Sequence, residues 1–372
     1  MKKTIICCLA AILLTAFANA SEGIKVKIDT GAIDGISYRV DIPDDWNHIL
    51  LVYYHGYSTG KNSFDNSPPR GAFALLTGAG YAIAQSDYSE TGWALDAAIL
   101  QTERLRTHVI SQYGKPIETY VFGHSMGGLL ATETLEEFPN RYDGGLSLCG
   151  LLAPTTWELT QLSARRAAFD YYYPGVLPNP VDIPDSKPID HDVAFKMLQS
   201  LSSNPKGHSE MLAIGHFKTD EDMVNSIILS TIVLRDLEQK IGSSVINNDA
   251  YIYAGGSDDN VLNDGVKRYT ASDAALGYMK SHYTPTGVLL RPMLAVHTTY
   301  DPTFFSNNVS IYADQVQRSG SIHNFVQQYV KHDGHCAITP EETLMSIEEL
   351  VHWKQTGERP LSGPLPTSIR AR

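Results

Sequence analysis

Apolar positions along the chain fall into two kinds of run. "IKVKIDT" from Ile24 and "ISYRVDI" from Ile36 alternate with a period of two, with turn residues Gly31 and Asp34-Gly35 between them. They read as two antiparallel strands joined by a turn. "HILLVYYHG" from His48 and "YAIAQSD" from Tyr81 are more continuously apolar, as parallel strands covered on both faces are, and a helix-like "AFALLTGAG" separates them. An amphipathic segment from about Gly92 to Tyr113 leads through Gly114-Lys115-Pro116 to a further strand, "ETYVFG". Helical spacing then runs through "MGGLLATETLEEF", Pro139-Asn140 closes it, and "GGLSLCG" reads as one more strand. This recurrence predicts an α/β chain with a largely parallel sheet and helices on both faces. Sites in such sheets lie at the carboxyl ends of the strands.

From Leu151 to Gly287 the rhythm fails. The stretch contains "YYYPGVLPNPVDIPDSKP", helical patterns near His191 to Ser200 and Asp220 to Ile241, and the turn-like "AGGSDDN". It is too long for an ordinary loop and is expected to fold onto the sheet as a helical cap. The rhythm resumes with "RPMLAVHTTYD" from Arg291, a helix near Phe304 to Arg318, "HNFVQQYV" from His323 and a helix from Glu341 to Trp353. The expected division is therefore 21–150 with 288–355 as the core, 151–287 as the cap and 356–372 as a loose tail.

Charge and composition narrow the function classes. Lys2 and Lys3, the apolar stretch Ile5 to Phe17 and the small-polar-small Ala18-Asn19-Ala20 read as a secretory signal peptide over 1–20, cut after Ala20. Export to the periplasm or the extracellular space follows. Without Lys2 and Lys3 the 29 basic residues become 27 against 41 acidic ones, a formal charge of −14. Such a surface repels phosphate backbones and anionic headgroups, which argues against nucleic acid and polybasic membrane contacts. No later stretch has the apolar length of a membrane-spanning helix. Cys149 and Cys336 then remain in a compartment that permits disulfides.

Candidate chemistry centres on "VFGHSMGGLL", Val121 to Leu130. Gly123 and Gly127 flank Ser125 where a strand passes into a helix, the context in which Gly-x-Ser-x-Gly holds a serine on a tight turn with its hydroxyl exposed. A neutral hydroxyl needs a base, and the base needs an orienting acid; in this architecture they follow in the order serine, acid, histidine. "HTTYDPT" places Asp301 directly after a strand, and "HDGHCAIT" places His335 in the loop after the next one. The competitors read differently: His297 lies within a strand pattern, His332 at a strand end, and Asp333 only two residues from His335. A second oxyanion donor belongs after an early strand, where "YYHGYSTG" offers Gly56 for close approach and the Tyr57 amide to join that of Met126. A plain strand-exit turn is the alternative there.

Other features stay open. Asp87, Tyr88 and Trp93 in "SDYSETGWAL" either border a pocket or form a helix cap over a core tryptophan. The oxygen ligands of "GGSDDNVLNDG" miss the spacing of an EF-hand loop, so no metal site is expected there. Nothing resembles a zinc cluster or a nucleotide-binding glycine loop.

The order of "YHGY", "GHSMGG", "HTTYDPT" and "GHC" resembles the alpha/beta-hydrolase superfamily, and within it the secreted bacterial serine hydrolases of the esterase-like and prolyl-oligopeptidase-like kind. The resemblance covers most of Ile36 to Gly357 outside the middle segment. It implies an eight-stranded, mostly parallel sheet with a cap after the sixth strand. It also implies Ser125 as nucleophile, Asp301 as acid, His335 as base, and Tyr57 with Met126 as oxyanion donors. In that fold the loops of Cys149 and Cys336 are neighbours, so either a disulfide or two buried thiols fits. The expected reaction is hydrolysis of a carboxylic ester, small or derived from a polymer, without metal or organic cofactor. Peptidase or acyltransferase chemistry on the same residues is the enzymatic alternative, and a non-catalytic binding protein on the same fold is the other.

Overall fold

The structure is a computed structural model and describes residues 25–181 and 191–367. The proposed signal peptide and the end of the tail, 368–372, lie outside the described residues.

One sheet organises the chain. The alternating N-terminal runs form β1 (Val26–Ile33) and β2 (Ile36–Pro43), paired antiparallel. β2 also pairs antiparallel with β4 (Ala82–Ser86), which lies parallel to β3 (Ile49–Tyr54). Parallel pairing then continues through β5 (Glu118–His124), β6 (Gly144–Leu148), β7 (Met293–Tyr300) and β8 (Phe325–Asp333). The order across the sheet is β1-β2-β4-β3-β5-β6-β7-β8-β9. The architecture is α/β with a mixed sheet flanked by helices.

The expected count of eight strands needs correction, because β9 (Gly363–Pro364) adds a ninth alongside Gln328 and Tyr329. The tail expected to be loose is likewise bound as far as it is described. Arg359 donates to the Phe325 carbonyl, Gln328 Nε2 donates to the Leu361 carbonyl at 3.0 Å, and Leu365 is buried. Edge strand β8 exposes backbone groups, and this segment covers them despite its prolines and glycines.

Strand alternation divides the core. Leu50 and Val52 face one side, with α2 (Leu95–Tyr113) and α3 (Met126–Glu137) above them. Ile49 and Leu51 face the other, against α1 (Ala72–Gly78) and α11 (Pro340–Thr356). Each fully buried leucine or isoleucine contributes about 1.5–3 kcal/mol, which makes this two-sided burial the main driving force for the sheet.

Between β6 and β7 the described residues form α4 (Thr155–Tyr172), α5 (His191–Leu201), α6 (Pro205–Ile214), α7 (Asp220–Ile241), α8 (Asp259–Gly265) and α9 (Asp273–Ser281). Helix α4 has no clear apolar period because Glu158, Arg165 and Arg166 are buried among its apolar residues. Leu159 and Leu162 of α4 join the sheet-side core, whereas Ala168 and Phe169 join a separate core with Met211 and Ile227.

At the β5–α3 junction, a Cβ on Gly123 would collide with the Gly127 carbonyl, and a Cβ on Gly127 with the Tyr54 carbonyl. Gly123→Ala should therefore destabilise the chain by about 3 kcal/mol, since backbone on both sides blocks relaxation. Urea denaturation of the purified variant checks this; an unchanged midpoint would mean that strand and helix can separate freely.

Candidate active site

Ser125 stands between β5 and α3 with φ 57° and ψ −124°, a left-handed conformation that a side chain seldom adopts. Its amide donates to the Leu148 carbonyl at the end of β6 at 3.0 Å, and its carbonyl accepts from Gly128 at 2.8 Å. These bonds hold the turn, and the amides of the first turn of α3 start at Met126. The loop after β3 passes close by: a Cβ on Gly56 would lie 3.2 Å from the His124 carbonyl and 3.3 Å from Ser125 Cβ. Glycine lets the backbone leading to Tyr57 run this near the serine without pushing either neighbour aside by a few tenths of an ångström.

His335 and Asp301 meet this serine. His335 Nε2 is 2.8 Å from Ser125 Oγ, and His335 Nδ1 is 2.7 Å from Asp301 Oδ2. A carboxylate accepts only, so the Nδ1 proton faces Asp301 and Nε2 is left to accept from the hydroxyl. Asp301 follows β7 and is buried, and its other oxygen accepts from the amides of Thr303 at 2.8 Å and Phe304 at 3.0 Å. Burial works to raise the Asp301 carboxyl. The His335 hydrogen bond and charge, His297 and the Phe304 amide outweigh it and hold the carboxyl below its ordinary value.

The loops that carry the two partners are tied together. Gly334, at φ 120°, donates to the Tyr300 carbonyl at 2.9 Å and accepts from Thr298 Oγ1 at 3.0 Å. Cys336 is bonded to Cys149 in a disulfide, with Cα atoms 5.2 Å apart. That bond joins the end of β6 to the loop after β8, across the end of β7 that carries Asp301.

The competing residues have other partners. Asp333 pairs with Lys218 at 2.7 Å, and His332 with Glu342 at 2.9 Å. His297 is buried with Nε2 3.8 Å from Asp301; burial pushes its pKa down against the pull of that carboxylate. His124, next to the serine, is pushed down to about 4 by burial and by His335.

Asp87, Tyr88 and Trp93 do not form an open wall. Asp87 accepts from the Asn62 amide, Tyr88 stacks on His55 at 4.0 Å and donates to its carbonyl, and Trp93 is buried in the core. A cavity of about 450 Å³ lies elsewhere, beside Asp301, between α4 and the loop after β7. Trp157, Gln161, Tyr251, Tyr300 and Phe305 line it, whereas Ser125 and His335 do not. Among the described residues no group of three or more His, Cys, Asp or Glu could hold a metal ion, and no helix is long and apolar enough to cross a membrane.

Two charged residues of α4 near Asp301 escaped the sequence reading. Glu158 and Arg165 are both buried and seven residues apart, on one helix face. The one signal available was that spacing of opposite charges, two turns apart on a single helix face. Burial pushes the Glu158 carboxyl up to about 8; Arg165 pulls it back and Asp301 pushes it further.

No protein-family model and no curated protein matches the chain. Among solved structures it is similar to an esterase of Pyrococcus furiosus at 13% identity, covering 88% of this chain and 90% of that one with a TM-score of 0.44. It is similar to an acylaminoacyl peptidase of Pyrococcus horikoshii at 10% identity, covering 91% and 42% with a TM-score of 0.47. A puromycin hydrolase is similar at 15% identity, covering 91% and 41% with a TM-score of 0.43. The chain spans less than half the length of the latter two.

Glu158 gives the site a pH signature. Between the ordinary carboxyl value and about 8 the folded chain keeps a proton that the unfolded chain releases, so stability falls as pH rises through that window. Glu158→Gln removes this slope. Its melting temperature should gain on that of the parent chain by on the order of 5 °C between pH 5 and pH 8. Calorimetry at both pH values tests this, and a constant difference would mean that Glu158 is ionised in the fold.

Proposed function

We propose that the chain is a serine hydrolase that cleaves an acyl bond through a covalent acyl-enzyme. The observation that carries this reading is the pair of consecutive hydrogen bonds, Ser125 Oγ to His335 Nε2 and His335 Nδ1 to Asp301 Oδ2. In the proposed reaction Oγ attacks the carbonyl carbon as its proton passes to Nε2. The amides of Tyr57 and Met126 receive the developing oxyanion. Nε2 then returns the proton to the leaving group, and the acyl chain stays on Oγ. Water repeats the sequence, with His335 as base, and releases the acid. Asp301, already ionised, steadies the imidazolium in both halves. The chemistry asks for no metal or organic cofactor.

Esters are the first substrate class, because an alkoxide leaves with less help than an amine. Amides are the second, since Nε2 can protonate either leaving group. The disulfide supports export, with a signal peptide removed after Ala20, because such bonds persist in oxidising compartments.

A fluorophosphonate should label the chain once, at Ser125, and Ser125→Ala should abolish both labelling and turnover. Asp301→Asn should lower kcat by about 10^4-fold while the fold persists. Aryl esters, aminoacyl anilides and alcohol acceptors assayed side by side then separate esterase, peptidase and transferase. A folded chain that resists labelling would leave a binding protein as the surviving explanation.

A further inference from the structure

Arg165 takes no part in the proton relay, yet its surroundings tie it to Asp301. Burying a guanidinium costs several kcal/mol unless hydrogen bonds and opposite charge replace its water. Arg165 is buried within α4. Its Nη1 donates to Ser226 Oγ of α7 at 2.9 Å, to the Pro302 carbonyl at 3.3 Å and to the Thr303 carbonyl at 2.6 Å. Phe305 packs against the guanidinium at 4.1 Å, and Glu158, Asp301 and Tyr251 are the titratable groups that act on it.

Those two carbonyls belong to particular peptide units. The Pro302 carbonyl shares its peptide plane with the Thr303 amide, and the Thr303 carbonyl shares its plane with the Phe304 amide. Both amides donate to Asp301 Oδ1, at 2.8 and 3.0 Å. Two consecutive peptide planes therefore lie between a cation and a carboxylate, each accepting on one side and donating on the other. Bonds in such a chain polarise one another, so the amides facing Asp301 become stronger donors than an isolated turn would supply.

We propose that Arg165 is a positioning residue for Asp301, fixing and polarising the Pro302–Thr303 and Thr303–Phe304 peptide units that hold the carboxylate against His335. This rests on the reading of Asp301 as the acid of a serine hydrolase. The helical segment then supplies part of the relay's support as well as cover for the sheet.

The test uses the full chain with histidine labelled by 15N. The ring 15N shifts of His335, assigned against His335→Gln, report the Nδ1 hydrogen bond, and ester turnover is measured on the same samples. Arg165→Met should shift the His335 Nδ1 resonance and lower kcat on the order of 100-fold with KM nearly unchanged. Arg165→Lys, which restores the charge but reaches fewer carbonyls, should recover part of both. Phe305→Leu, which removes the ring against the guanidinium but none of the hydrogen bonds of Arg165, should leave the resonance in place. A folded Arg165→Met with parent-like resonance and kcat would overturn the proposal. If that variant does not fold, Arg165→Lys decides: a displaced resonance with reduced kcat supports the role, and parent values of both overturn it. A parent chain inert toward esters and amides would defeat the hydrolase reading, while the resonance still tests Arg165.

Discussion

Everything at this end of the sheet depends on how closely the backbone of β5 and α3 can approach around Ser125. The turn is left-handed, and a serine held there costs about 1–3 kcal/mol of strain. Sheet and helix offset it: the Ser125 amide is bonded to β6, its carbonyl to α3, and Met126, Leu129 and Leu130 are buried beneath. Gly127 would collide with the Tyr54 carbonyl if it carried a side chain, and Tyr54 leads directly into His55, Gly56 and Tyr57. One steric contact thus seats both the hydroxyl and the neighbouring backbone loop, so their relative position is set by hard packing rather than by flexible side chains.

The acid is held by a different balance. Burial by itself pushes the Asp301 carboxyl up, toward the protonated form that would be a poor partner for an imidazolium. His335, His297 and two backbone amides tip it the other way. The disulfide adds a covalent restraint from β6 to the histidine loop, closing a separation of 187 residues across the end of β7. Serine, acid and histidine are therefore each fixed by a separate device: steric exclusion, buried hydrogen bonding and a covalent bridge.

Much of this was legible in the sequence, for physical reasons. Parallel strands buried on both faces leave dense apolar runs, so β3 to β7 could be read directly, whereas β8, with its exposed polar positions, was read from its place in the rhythm. Gly123 and Gly127 around a serine announce a tight turn because glycine has few other uses between strand and helix. Ser125, Asp301 and His335 could be singled out because each stands just after a strand pattern, in the order that the strand–turn–helix architecture implies. Helix α4 was not legible, since buried Glu158, Arg165 and Arg166 mask its apolar face. Strand β9 was hidden by its brevity and by its glycine and proline. Asp87, Tyr88 and Trp93 could not be assigned to wall or core from sequence, because strand ends and pocket rims share the same residue types.

The residues that hid α4 also explain why it sits where it does. A helix that only covered a sheet would gain most from an apolar face, and replacing a buried charge by an apolar side chain is often neutral or stabilising. Here the charge is matched to its surroundings: Arg165 meets two carbonyls of the Asp301 loop and a hydroxyl of α7. An apolar residue would leave those carbonyls buried without their donor, and the loop free to turn its amides away from the carboxylate. The directional demand of the loop, rather than the stability of the helix, is what favours a guanidinium at this position.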